Sequence, residues 1–96
     1  MKINYYYPYK SDKPEKKYYI ITSTGKKKVY FGATGYEHYS DGHKDEKRKE
    51  AYIKRHRNNE DWSKSGIDTP GFWSYHYLWE FPSKTQAYEN IKKKYL

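Results

Sequence analysis

Val29-Tyr30-Phe31-Gly32-Ala33-Thr34-Gly35-Tyr36 is an aromatic, β-branched run that stops on two glycines. Soon after it, Lys44-Asp45-Glu46-Lys47-Arg48-Lys49-Glu50-Ala51-Tyr52-Ile53-Lys54-Arg55-His56-Arg57-Asn58 contains neither proline nor glycine. The first run has strand composition and the second is made mostly of good helix formers. The chain therefore passes from sheet to helix across Gly32 to Gly35, where glycine permits positive φ. Gly32-Ala33-Thr34-Gly35 lacks the spacing of a phosphate-binding P-loop and has no lysine directly behind it, so it reads as a turn. This junction sets the expected class as α+β, a small single domain.

Upstream, Lys17 to Ser23 and Lys26 to Gly32 are both dense in β-branched and aromatic residues and flank Thr24-Gly25, which predicts a β-hairpin. Val29 and Phe31 share one face of it, Lys28 and Tyr30 the other. Met1 to Tyr9 suits an edge strand or an extended arm, with Pro8 barring a central strand, so a third strand is allowed. Lys10 to Lys16 is polar and proline-containing, a loop. Residues 1–16 thus read as an arm plus loop, and 17–96 as one basic domain.

Downstream, the Lys44–Asn58 helix of about four turns places Lys44, Lys47, Arg48, Lys54 and Arg55 on one arc. Asp45, Lys49, Tyr52, Ile53 and His56 fall on the other side. Asn58 to Gly66 breaks the helix, with Trp62 expected to anchor the connection against it. Thr69-Pro70 is a cap and first-turn pair, which favours a short helix over Gly71 to Glu80. The alternation of Trp73, Tyr75, Tyr77 and Trp79 would suit a strand on period alone. Ser83-x-x-Gln86 is a capping-box signature ahead of Ala87, Tyr88, Ile91 and Tyr95, one side of a last helix. The expected architecture is a hairpin, with room for a third strand, packed with two or three short helices.

Composition restricts partners. With 96 residues there is room for one modest core. Its aliphatic set is thin, so 14 Tyr, 3 Trp and 3 Phe must supply much of it, leaving hydroxyls at the rim. The formal charge is +8. The positive excess lies chiefly in 17–35, 43–58 and 82–96, with a smaller one in 1–16, whereas 36–42 and 59–81 are net acidic. Such a balance points to an acidic partner, nucleic acid above all, the plainer reading being charge that keeps an aromatic-rich chain soluble. Absence of cysteine rules out disulfides and thiolate metal sites and suits a reducing interior. No apolar run approaches the roughly 20 residues of a membrane span, and Met1 to Tyr9 lacks a signal-peptide core, so neither membrane association nor secretion is expected.

The run Val29-Tyr30-Phe31-Gly32-Ala33-x-Gly35-Tyr36, then His43-Lys44-Asp45-x-x-Arg48-Lys49-x-x-Tyr52-x-x-Arg55-His56, Asp61-Trp62 and Thr69-x-Gly71-Phe72-Trp73-Ser74 with Leu78-Trp79, resembles a family of small, uncharacterised basic proteins encoded by large DNA viruses. The resemblance covers Tyr18 to Leu96. It implies a viral source, association with viral DNA or the virion, and a setting in the host cytoplasm or nucleus. It supplies no catalytic residue. Tyr75-His76-Tyr77 departs from that pattern, which carries an arginine and more aliphatic residues there.

The preferred function is nucleic-acid binding with little sequence preference, DNA favoured over RNA. Lys44, Lys47, Arg48, Lys54 and Arg55 would contact phosphates, flanked by Lys26, Lys27 and Lys28 and by Lys92, Lys93 and Lys94. Neutralising about six phosphates would give a log-log salt slope near −5 on duplex DNA. Lys26 to Lys28 could equally be a solvated hairpin tip. Tyr5 to Tyr7 could stack on unpaired bases or fill the core. The alternative is a protein-interaction module, a virion component or an inhibitor of a nucleic-acid enzyme, working through the aromatic surplus at Trp73, Tyr75, Tyr77 and Trp79. A third reading, a small metal-dependent nuclease, would use His43, Asp45, His56, Glu60 and Asp61. His43 and His56 would lie about 20 Å apart on a straight helix, too far to share a metal. His56 and Asp45 are instead expected to make structural hydrogen bonds, and His38 and His76 have no evident partner. No catalytic residue, metal or cofactor is expected.

Overall fold

In a computed structural model, described for residues 5–23, 25–35 and 37–96 and for all their side chains except those of Asp41 and His43, the chain has an α+β fold of three strands and three α-helices. Two compact units divide at Gly35. The sheet belongs to the first and the helices to the second.

The first unit is an antiparallel sheet in the order β1-β2-β3, with β1 Tyr9–Lys10, β2 Lys16–Ile21 and β3 Lys28–Ala33. The hairpin is the expected one, and the third strand is Tyr9 of the predicted arm plus Lys10, so the predicted loop is shortened at both ends, Lys10 joining β1 and Lys16 β2 through backbone pairing. Met1 to Asn4 lie outside the described residues, as does Thr24 of the hairpin turn. Pro8 sits just before β1, where Tyr9 N–H donates to Tyr7 O at 3.0 Å, so the edge strand starts only after the residue that cannot donate. Strand periodicity sorts the faces. Ile20 and Phe31 are buried on one, with Tyr18 stacked on Phe31 at 5.8 Å. Tyr9, Tyr19 and Tyr30 line up on the other through the pairs Tyr9↔Tyr19 and Tyr19↔Tyr30. The hairpin closes with Thr22, whose N–H donates to Lys27 O at 2.9 Å and whose hydroxyl accepts from Lys27 N at 3.2 Å. Gly25 and Lys26 take φ of 80° and 52° there.

The second unit is built on rings. A π-helical turn over Tyr39–His43 leads to α1, Glu46–His56; α2, Pro70–Trp73, runs into a π-helical segment, Ser74–Trp79; α3 is Lys84–Tyr95. Each α-helix opens on the side chain that the sequence supplies: Asp45 accepts from Lys47 N and Arg48 N, Thr69 from Phe72 N, and Ser83 from Gln86 N. Three differences from expectation follow. The first helix begins at Glu46, because Asp45 is the cap and Lys44 before it has φ 52°. It ends at His56, two residues short of Asn58. The segment expected as one helix over Gly71 to Glu80 is helical, but its second half widens to i→i+5 bonding, as in Glu80 N–H to Tyr75 O at 2.9 Å. Other elements serve the widened turns. Ser40 Oγ donates to Tyr77 O at 2.8 Å, and Lys49 Nζ to Glu80 O at 2.7 Å, where a cation also suits the C-terminal end of the dipole.

Phe72, Trp73, Leu78, Ala87 and Ile91 are fully buried, and Tyr39, Tyr52, Tyr77 and Trp79 nearly so. Tyr52 of α1 lies parallel to Trp79, centroids 4.5 Å apart, and Trp62 stacks on Tyr75 at 4.0 Å. Trp62 also faces Tyr52 at 6.3 Å, the anchoring role expected of it. The rings at 73, 77 and 79, read from sequence as a surplus available to a partner, are this core.

Candidate nucleic-acid interface

Helix α1 presents its cations on one side. Tyr52 is buried and Lys49, Ile53 and His56 are half-buried, whereas Lys47, Arg48, Lys54 and Arg55 are exposed. Lys47 and Arg48 recur as Lys54 and Arg55 seven residues on, about 10.5 Å along the axis and close to three base-pair rises of about 3.4 Å. Among the described residues none of the four makes an ion pair within 4.0 Å. Glu50 of α1, exposed and four residues before Lys54, lies at the edge of this face, whereas the other nearby carboxylates are engaged elsewhere. Glu60 accepts from Trp62 Nε1 at 3.0 Å and pairs with His56 Nδ1 at 3.3 Å. Asp61 accepts from the Ser63 and Ser65 hydroxyls and from Ser63 N, which hold its pKa below the ordinary value. Glu80 faces His76, and Glu46 accepts from Tyr39 Oη at 2.6 Å, raising that phenol.

The other expected contacts divide. Lys26 and Lys27 are exposed on the hairpin turn. Lys28 is instead paired with Asp12 at 3.2 Å and lies 4.9 Å from the Tyr19 ring centroid. Hydrogen bonds from Tyr30 and then Lys28 hold Asp12 below its ordinary pKa. Lys44 is exposed but precedes α1 in a left-handed conformation, so it leaves the predicted arc. In α3, Lys92 pairs with Glu89 at 3.2 Å and lies over the Tyr88 ring, while Lys93 and Lys94 are exposed in the last turn. The four α1 cations are thus brought together; Lys28 and Lys92 are already engaged.

Of the residues weighed for catalysis, those whose side chains are described do not converge. Asp45 caps α1 rather than meeting His56, which stacks on Tyr52 at 4.3 Å and pairs with Glu60. The His43 side chain lies outside the described residues. Among the described residues no group of three or more His, Cys, Asp or Glu could hold a metal ion, and no helix is long and apolar enough to cross a membrane.

Sequence reading missed His76. It is buried, with Nδ1 2.7 Å from Glu80 Oε1 and Nε2 2.7 Å from Trp62 O. A carbonyl can only accept, so Nε2 donates to Trp62 O, and Nδ1 is within hydrogen-bonding distance of Glu80 Oε1. His76 and Glu80 stand four apart, a helical signal that the Thr69-Pro70 start could have exposed. The other omission is the Tyr9, Tyr19, Tyr30 row, of which hairpin register aligns Tyr19 with Tyr30 and the β1–β2 pairing adds Tyr9.

A family of unknown function, DUF5754, matches residues 9–56, half of the chain. The chain belongs to this family. The DUF5754 match begins on the first residue of β1 and ends on the last of α1, so it takes in the tyrosine row and the α1 cations and stops short of α2 and α3. No curated protein and no solved structure matches the chain.

Proposed function

We propose that this DUF5754 chain binds nucleic acid by neutralising backbone phosphates with the exposed face of α1, with little sequence preference. One observation carries the reading: Lys47, Arg48, Lys54 and Arg55 share that face with no ion pair among the described residues, Glu50 at its edge being the one acid not occupied within the fold as Glu60, Asp61 and Glu80 are. Clustered cations left unneutralised repel one another, and a polyanion relieves that repulsion by releasing its counterions. The resemblance to small basic proteins of large DNA viruses favours DNA over RNA, and viral DNA or the virion as the setting.

Fluorescence anisotropy with two unrelated duplexes tests it. Four phosphates neutralised by α1 give a log-log salt slope of about −3.6, with further cations steepening it, and affinities that agree between the sequences. A slope near zero between roughly 50 and 200 mM salt, or no binding at the lower salt, rejects the proposal.

A further inference from the structure

The sheet carries a feature that duplex binding does not use. Tyr9, Tyr19 and Tyr30 form a row across all three strands, with centroids 5.6 and 5.4 Å apart and interplanar angles of 26° and 43°. Tyr7 extends it by an edge contact at 5.0 Å and is 40% exposed. The opposite face holds the buried Ile20 and Phe31, so the row is the outward face and its half-buried rings keep accessible surface. Cross-strand rings stabilise a sheet, and that is the plain account of the row. It does not account for the charge around it. Lys13 Nζ sits 4.3 Å from the Tyr30 centroid and Lys28 Nζ 4.9 Å from that of Tyr19. Asp12, the carboxylate on this face, is spent on fixing Tyr30 Oη at 2.6 Å and Lys28 at 3.2 Å. Lys13 also lines a cavity of about 320 Å³ with Lys10, Lys16, Lys17, Tyr18 and Thr34, but the register Lys10↔Tyr18 puts those two on the face opposite the row, so the cavity is not part of it. Rings with the ammonium groups of Lys13 and Lys28 over them suit a ligand that carries planar rings and anions side by side.

We infer that the sheet is a stacking platform for unpaired bases, with single-stranded nucleic acid as its ligand. This rests on the nucleic-acid reading and specifies the strand state. Bases lie against the tyrosine row and the adjoining phosphates meet Lys13 and Lys28; a duplex keeps its base faces stacked and cannot use the row. The lysines now over Tyr19 and Tyr30 must swing from ring to phosphate. The exchange is favourable, because a base on an aromatic ring outweighs an exposed cation–π contact. Three rings in line take more than one base, which selects a polymer over a mononucleotide.

The test compares an oligothymidylate, a duplex of equal length and thymidine monophosphate as competitor, on the whole chain. Expected are tighter binding of the single strand than of the duplex at the same salt and no displacement by millimolar mononucleotide. Tyr19→Leu, at the centre of the row, should weaken single-strand binding about tenfold and leave duplex binding unchanged. Because Tyr19 is half-buried, photocrosslinking of a 5-iodouracil oligomer to the unaltered protein gives a measure independent of folding, with adducts expected on Tyr9, Tyr19 or Tyr30. Equal affinity for both polymers, or adducts confined to residues 46–57, overturns the platform and leaves the α1 proposal standing. Displacement by the mononucleotide overturns the polymer. Binding of neither polymer overturns both proposals.

Discussion

Replacing His76 by leucine removes a buried ring held at 2.7 Å on both sides, by Glu80 Oε1 and by Trp62 O. The Trp62 carbonyl loses its donor, at a cost of about 1–3 kcal/mol for a buried acceptor left unsatisfied. Glu80, whose side chain is 23% exposed, recovers part of its solvation, so the sum comes to about 2–4 kcal/mol rather than the 3–5 of a fully buried pair. For a chain of 96 residues this corresponds to a fall of roughly 10–25 °C in Tm. Glu80→Gln separates hydrogen bonding from charge. Its amide can donate to Nδ1 of a neutral imidazole while Nε2–H still reaches Trp62 O, so every buried atom stays satisfied and the cost should remain below about 1 kcal/mol. Thermal unfolding followed by near-ultraviolet circular dichroism measures both, and the double variant should cost less than the sum of His76→Leu and Glu80→Leu, because the two residues share one contact. A His76→Leu variant within about 0.5 kcal/mol of the parent would refute the reasoning, since that is the range of a surface substitution away from any such feature.

Glutamine at Lys47, Arg48, Lys54 and Arg55 together should reduce the duplex salt slope by about 3.6, removing a factor of roughly 150 from the affinity lost between about 50 and 200 mM salt, with the far-ultraviolet spectrum unchanged. A Cβ on Gly66 would lie 2.0 Å from Asp61 O, so Gly66→Ala should destabilise by about 3 kcal/mol or more. At Gly35 nothing lies within 4 Å but φ is +84°, and alanine should cost only about 1–2 kcal/mol there; chemical denaturation ranks the two. Burial pushes the Tyr75 phenol up to about 12. A folded-state pKa above the unfolded value of about 10 stabilises below pH 10 and is lost as pH rises through 12, so a phenolate titration should show a class of tyrosines that ionises only with unfolding.

The α1 surface was readable because a helix is periodic. Once Lys44 to Asn58 is taken as helical, Tyr52 and His56 pick the inner side and Lys47, Arg48, Lys54 and Arg55 the outer, whatever α1 packs against. Lys28 and Lys92 were not readable in this way. Lys28 meets an acid sixteen residues earlier in the chain. Lys92 meets Glu89 on its own helix, but three-residue spacing permits such a pair without requiring it. The α-to-π change at Ser74 had no local signal either: the strand-like alternation at Trp73, Tyr75, Tyr77 and Trp79 belongs to a helix whose widened turns lean on Ser40 and Lys49.

What the amino-acid order determined by itself is whatever acts within a few residues. The caps at Asp45, Thr69 and Ser83 each bond a backbone N–H two or three positions on, so they need no other part of the chain. Strand and helix composition and the placing of charge belong to the same short range. The tertiary structure alone decided which rings became core, which lysines were already held, and that His76 would sit between an acid and a carbonyl fourteen residues away. Those outcomes depend on the path of the backbone between contacts distant in sequence, and a side chain's type says what bond it can make but not which partner the path will bring to it.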